Sequence, residues 1–133
     1  MTCVVDASVV VAVLTDASAV GSWAAERLRD EAMLAPHLLP VEVTQAVRRL
    51  VAAGALTEAE GSEAVRGLLA WPITLVDFAP MAARVWELGE AVSAYDAWSV
   101  ALAEAAAVPL VTLDARLARA PGPRCTFNLG PAT

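Results

Sequence analysis

Lysine is absent from this 133-residue chain; all nine basic residues are arginine. That absence removes every mechanism needing a lysine, including the residue that would balance the charge of a phosphoaspartate at Asp6. Asp6-Ala-Ser8 also lacks the second aspartate that a haloacid-dehalogenase-type phosphatase would use. Histidine occurs once, as His37 in a Pro-His-Leu-Leu-Pro loop, and is read as a surface residue. No Ser–His–Asp or thiol–histidine set is worth pursuing. The two cysteines, Cys3 and Cys125, have no metal-ligand spacing and read as small buried hydrophobes in strands. Neither GxxxxGK[ST] nor GxGxxG is present to cradle a phosphate. The run Val9 to Leu14 is too short to span a bilayer. The amino terminus lacks the basic segment of a secretory signal, and Asp6 interrupts its first apolar run. The expectation is a soluble, cytoplasmic protein with no membrane partner.

Positive charge is scarce as well. The formal net charge is -6 and the pI about 4.6. This argues against bulk, sequence-independent binding of nucleic acid, which draws on a basic surface, but leaves room for a local arginine patch. What is abundant is apolar: 58 % of the residues, enough for a sizeable core in one domain spanning residues 1–133.

Short apolar runs alternate with helical patterns. Strands are predicted at Thr2–Val5, Ala32–Ala35, Ile73–Val76, Pro109–Leu113 and Cys125–Phe127. Helices are predicted at 8–14, 18–31 with Ser18 as N-cap, 41–53, from Thr57 to Trp71, 80–92, 93–107 and 114–120. Thr57-Glu58-Ala59-Glu60 matches a capping box. Residues 130–133 are expected to fray. Such alternation predicts βαβ units and a parallel sheet with helices on both faces, and ligands then bind beyond the carboxyl ends of the strands.

Four acids fall where an apolar run stops or a helix begins: Asp6, Glu42, Asp96 and Asp114. Each alone has an ordinary explanation as a cap or a helix-dipole partner. Glu42 strains that explanation, because Leu38, Leu39 and Ala46 flank it at helical spacing and a carboxylate there is partly desolvated. Asp96 is similar, among Ala97, Trp98, Val100 and Ala101. A parallel sheet would gather all four at one edge, where they repel one another. A hard divalent cation, Mg²⁺ or Mn²⁺, compensates best with oxygen ligands, and one or two such ions can activate a water against a phosphodiester. The hydroxyls of Ser8 and Thr112 lie near the same edge and can orient carboxylates or waters.

With these acids placed, the chain resembles the PIN-domain nucleases, and in particular the VapC toxins of bacterial toxin–antitoxin pairs. The matching pieces are Val4-Val5-Asp6-Ala7-Ser8, Leu39-Pro40-Val41-Glu42-Val43, Tyr95-Asp96-Ala97-Trp98 with Ala101-Leu102-Ala103, and Thr112-Leu113-Asp114. The ordered set covers almost the whole chain. The resemblance implies a three-layer α/β/α domain with a mainly parallel sheet of four to five strands. It implies a Mg²⁺- or Mn²⁺-dependent endoribonuclease acting on structured RNA, a cognate VapB-type antitoxin and a homodimer. In that picture Asp6, Glu42 and Asp96 bind the metal, and Asp114 helps hold the same ion, a second ion or the water. The chain departs from some relatives in following Asp114 with Ala115-Arg116-Leu117 rather than further acids.

RNA contact on so acidic a protein must come from local arginines. Arg116 and Arg119, on one face of the short helix after Asp114, are the first candidates; Arg48-Arg49 is a weaker pair. Two rivals remain: a module of the same fold that binds RNA or a partner protein without cutting, and a metal-dependent phosphatase for small substrates.

Overall fold

The computed structural model describes residues 1–132. Five strands form: β1 (Thr2–Val5), β2 (Ala32–Pro36), β3 (Ile73–Val76), β4 (Leu110–Thr112) and β5 (Phe127–Leu129). All neighbours pair in parallel, in the spatial order β3-β2-β1-β4-β5. Seven α-helices connect them: α1 (Ala7–Thr15), α2 (Ala19–Leu28), α3 (Leu39–Ala52), α4 (Glu58–Ala70), α5 (Ala82–Leu88), α6 (Ala94–Ala106) and α7 (Ala115–Arg119).

The alternation of side chains along each strand builds two cores from one sheet. Cys3, Val5, Met33, Ala35 and Val111 face α1 to α4, where Val9, Val10, Leu39 and Val43 complete the first core. Val4 and Leu110 face the other way, toward Val85 and Leu88 of α5, Val100 and Leu102 of α6 and Leu117 of α7. The result is the three-layer arrangement expected. Wholly buried side chains such as Leu39 and Leu110 each contribute about 1.5–3 kcal/mol of burial free energy. No single helix among the described residues is long and apolar enough to cross a membrane.

Local signals set the ends of these elements. Ser18 caps α2 by accepting the Val20 N–H at 3.3 Å. Thr57 and Glu60 exchange both bonds of the capping box, at 3.1 and 2.8 Å. The single helix expected over residues 80–92 is instead broken into a 3₁₀ turn (Ala79–Met81), α5 and a second turn (Gly89–Ala91). Gly89, at φ +60°, adopts the left-handed backbone that ends α5. The last strand lies two residues later than expected. Arg124 donates its N–H to Glu104 Oε2 at 2.7 Å, which keeps Arg124 and Cys125 in a loop, and pairing with β4 starts at Phe127 opposite Leu110. Cys3 is buried in β1, whereas Cys125 is half-buried outside any strand. The expected fraying does not reach Gly130, whose N–H bonds to the Thr112 carbonyl at 2.9 Å; Thr133 lies outside the described residues.

The chain leaves β1 for β2 and β3 on one side and returns on the other as β4 and β5. The switch point is therefore the β1–β4 boundary, and the crevice beyond its carboxyl edge is where such sheets take ligands.

Candidate metal centre

Asp6 follows β1 at that switch point. It occupies the N-cap position of α1, yet its side chain makes no capping bond. Its Oδ2 accepts instead from Ser8 Oγ at 2.6 Å and from Thr112 Oγ1 at 2.9 Å. Each hydroxyl in turn accepts a backbone N–H, Ser8 from Leu113 at 3.1 Å and Thr112 from Asp114 at 3.0 Å. Pairing of Val5 with Val111 brings these distant residues together. Thr112 is wholly buried, so its hydroxyl has no solvent to satisfy it and its orientation is set by these two partners. One oxygen of Asp6 is thereby fixed. The structure shows no protein hydrogen bond to the other among the described residues.

Glu42 reaches the same edge from the first turn of α3, which Pro40 opens. Its carboxyl is pushed up to about 7, first by burial and then by the negative charges of Asp6 and Asp96. Asp96 arrives from the first turn of α6. Its N–H donates to Ser93 Oγ at 3.2 Å, so half of a capping box forms, with Ser93 as N-cap. Burial raises its pKa above the ordinary value, with Asp6 and Asp114 adding to the effect; the Ser93 hydroxyl and the Arg116 guanidinium work the other way. A carboxylate at a helix N-terminus gains about 0.3–1 kcal/mol from the helix dipole. At Asp96, desolvation and the neighbouring acids outweigh it.

Asp114 behaves differently. Its Oδ1 accepts the N–H groups of Arg116 and Leu117 at 2.9 and 3.2 Å, a full N-cap for α7. The cap explanation is thus realised for Asp114 and fails for Asp6. Electrostatic coupling links the four acids in a chain rather than all to all: Asp6 acts on Glu42 and Asp96, Asp96 on Glu42, and Asp114 on Asp96.

The donor chemistry fits a hard divalent cation. Every donor is a carboxylate oxygen, and two of the carboxyls, Glu42 and Asp96, have affinities for a proton raised by burial and by neighbouring acids, the response of an acid cluster short of positive charge. No three His, Cys, Asp or Glu side chains among the described residues already converge as ligands on a common point. Mutual repulsion favours such separation, and a cation would oppose it.

Arg116 and Arg119 are exposed on α7 and make no ion pair among the described residues. The proximity of Arg116 to Asp96 was not legible from spacing, which related it only to Asp114. Arg48 and Arg49 are exposed along α3. Beside the acids, an apolar cleft of about 450 Å³ between α1 and α3 is lined by Val11, Ala46, Leu50 and Leu113 and touches Ser8 and Asp114. Glu31, which reads as solvated in sequence, is only 12 % exposed in its side chain and lies 3.7 Å from the amino terminus.

Against known proteins, a model of the PIN domain matches residues 3–123. Ribonuclease VapC1 of Mycobacterium tuberculosis is 39 % identical over 131 residues, covering 96 % of each chain. Among solved structures, VapBC2 from Rickettsia felis, bound to a DNA fragment from their promoter, superposes with a TM-score of 0.69 at 15 % identity, over 98 % of this chain and 100 % of that one. VapC20 of Mycobacterium tuberculosis, a sarcin-ricin loop cleaving toxin, superposes with a TM-score of 0.66 at 17 % identity, over 87 % and 92 %.

Proposed function

This chain belongs to the PIN-domain family, alongside the VapC ribonucleases, and from that premise we propose that it is a toxin-type endoribonuclease, dependent on Mg²⁺ or Mn²⁺ and neutralised by a cognate VapB-type antitoxin. The observation that carries the proposal is the acid cluster at the switch point, only partly offset by Arg116, with Glu42 pushed up to about 7 by burial and by Asp6 and Asp96.

In this reading Asp6, Glu42 and Asp96 hold the ion. When bound, the ion supplies Lewis-acid activation of a water and stabilisation of the leaving oxygen of the phosphodiester. Ser8 and Thr112 position Asp6 by fixing Oδ2, leaving the other oxygen to ligate. Asp114 caps α7 with Oδ1, so its part is to hold Arg116 beside the site and to add negative charge near Asp96. Arg116 and Arg119 contact RNA phosphates as charge-assisted donors. The apolar cleft at Leu50 and Leu113 is the surface an antitoxin segment covers, and two copies of the chain associate.

The test is cleavage of RNA by the purified protein with added Mg²⁺ or Mn²⁺, beside Asp96→Asn. Wild type is expected to cut and the variant to stop cutting while keeping its circular-dichroism spectrum. Equal cleavage by both overturns the proposal. One observation favours a second reading: the acids do not yet converge on one point, as in a module that binds RNA without cutting. That reading requires metal-independent RNA binding and no products at any Mn²⁺ concentration.

A further inference from the structure

The nuclease reading leaves His37 and Asp77 unused, and the structure pairs them. β2 and β3 end in register, Pro36 opposite Val76. The next residues, His37 and Asp77, therefore stand side by side at the carboxyl edge of the sheet. The His37 N–H extends the ladder to the Val76 carbonyl at 3.2 Å. The ring Nδ1 lies 3.0 Å from Asp77 Oδ1. A ring nitrogen this close to a carboxylate carries the proton, so in the neutral imidazole Nε2 keeps its lone pair and accepts hydrogen bonds. Both side chains are exposed, at 52 % and 74 %. The carboxylate thus orients the chain's one histidine and leaves Nε2 as the acceptor of a half-exposed ring.

The residue after Asp77 adds a second, independent feature. The Phe78 ring is 43 % exposed and is held edge-on against the buried Trp98, with centroids 5.2 Å apart. Phe78 and the 87 %-exposed Trp86 line one groove of about 750 Å³, which runs to Ser93 and Ala94 at the start of α6, next to Asp96. Glu90 is the one charged residue lining this groove. Its negative charge repels a phosphate and leaves an uncharged aromatic base as the favoured occupant, since every base has a face that stacks on aromatic rings. β2 and β3 lie one and two strands from β1, about 5 and 10 Å along the edge. An RNA strand crossing the acid cluster covers that distance within a few nucleotides.

Resting on the endoribonuclease reading, we infer that the β2–β3 end of the carboxyl edge is a nucleoside subsite for a nucleotide flanking the cut. Nε2 of His37 accepts a ribose 2′-hydroxyl, with Asp77 as the residue that positions it, and Phe78 and Trp86 seat the base. The 2′-hydroxyl is the donor that RNA has and DNA lacks, so the subsite makes the acidic site discriminate for RNA.

The experiment begins by mapping a cut in total bacterial RNA and continues with a short oligonucleotide spanning it. Each nucleotide in turn is replaced by its 2′-deoxy form, and in a second set by an abasic one. Wild type should lose about tenfold in kcat/KM at one deoxy position beyond the scissile nucleotide, the value of one hydrogen bond. In His37→Ala that penalty should vanish while the penalties at other positions persist. In Trp86→Ala the abasic penalty at the same nucleotide should vanish. A wild type that cuts no RNA overturns the nuclease reading and this inference with it. Wild-type cutting with the same deoxy penalty in His37→Ala overturns the inference alone and leaves the pair an ordinary surface contact. If Trp86→Ala alters the oligomeric mass by sedimentation and leaves the abasic penalty intact, a second copy of the chain covers the groove and the base seat is refuted.

Discussion

The two ends of α6 carry charged clusters that behave in opposite ways. At the first turn, Asp96 joins Asp6, Glu42 and Asp114, and both Glu42 and Asp96 hold their protons more tightly than free carboxyls. In the last turns, Glu104 meets Arg84. The Arg84 Nε donates to Glu104 Oε1 at 2.7 Å and one Nη to Oε2 at 3.1 Å, and that Nη also donates to the Gly122 carbonyl at 2.9 Å. Arg124 adds its N–H to Glu104 at 2.7 Å. Here the Arg84 hydrogen bond holds the Glu104 carboxyl below its ordinary value. The helix dipole predicts the reverse ranking, favouring an acid at the first turn and opposing one at the last. Burial and partners, not helix position, decide the sign. A cluster with its counter-charge built in ties α5, α6 and the loop before β5 together. At the acid end Arg116 opposes the raised affinity of Asp96 only in part, and the proposed divalent cation would supply the remaining charge.

The largest expected effect breaks the comparison at the acid end. Asp6→Asn should lower RNA cleavage by about 10³-fold, the order seen when a charge-stabilising group is removed from a catalytic site. Glu87→Gln at the other end should leave the rate unchanged, measured on the same RNA.

Next in size is Thr112→Val, which removes one of the two hydroxyls holding Asp6 Oδ2 with little change of volume. Groups that orient a metal ligand are worth about 10–100-fold in metal affinity. Titration with Mn²⁺ should show a loss in that range, and an unchanged affinity would remove Thr112 from the site.

At the balanced end, Arg84→Met keeps the apolar stem and strips the three bonds to Glu104 and Gly122. Urea unfolding of the metal-free protein should show a loss of about 2 kcal/mol, the scale of hydrogen bonds to a charged group, while metal affinity stays the same.

The remaining effect concerns pH, where the two ends should pull in opposite directions. The folded Glu42 carboxyl sits near 7 against an ordinary 4.5. The folded state therefore binds the proton more tightly than the unfolded one. Glu42 is neutral and costs nothing below about 4.5, and its contribution turns unfavourable as the pH rises toward 7. Glu104 is shifted down, so its contribution is present above the ordinary carboxylate range and is lost as the pH falls through its folded value. Metal-free Glu42→Gln should gain thermal stability over wild type near neutral pH and match it at pH about 4.5. A variant with the same melting profile as wild type at both values would show that the Glu42 carboxylate is not disfavoured by burial and its acidic neighbours.

Much of the framework was legible residue by residue. Ile73–Val76 reads as a strand because a short β-branched run stands between Trp71-Pro72 and Asp77, and it forms over those four residues. Thr57 and Glu60 read as a capping box and make both of its bonds. The break at Gly89 was not legible, since the apolar spacing over residues 80–92 continues through it. Nor was the position of β5, which depends on Glu104 catching the Arg124 N–H across the fold. The acids show the same division. Each could be placed at the end of an element, but whether it caps that element depended on competitors elsewhere: Asp114 caps, and Asp6 is drawn away by Ser8 and Thr112.

The amino-acid sequence by itself determined the alternation of strands and helices, the acids at their junctions and the absence of lysine, because propensity, periodicity and composition are properties of neighbouring residues. Only the tertiary structure decided which acids share a field, which oxygen of Asp6 is held, and that His37 faces Asp77. Those outcomes depend on distance through space: carboxylates interact as the inverse of their separation, and hydrogen bonds form within a few tenths of an ångström or not at all. Closure of a parallel sheet around β1 sets both.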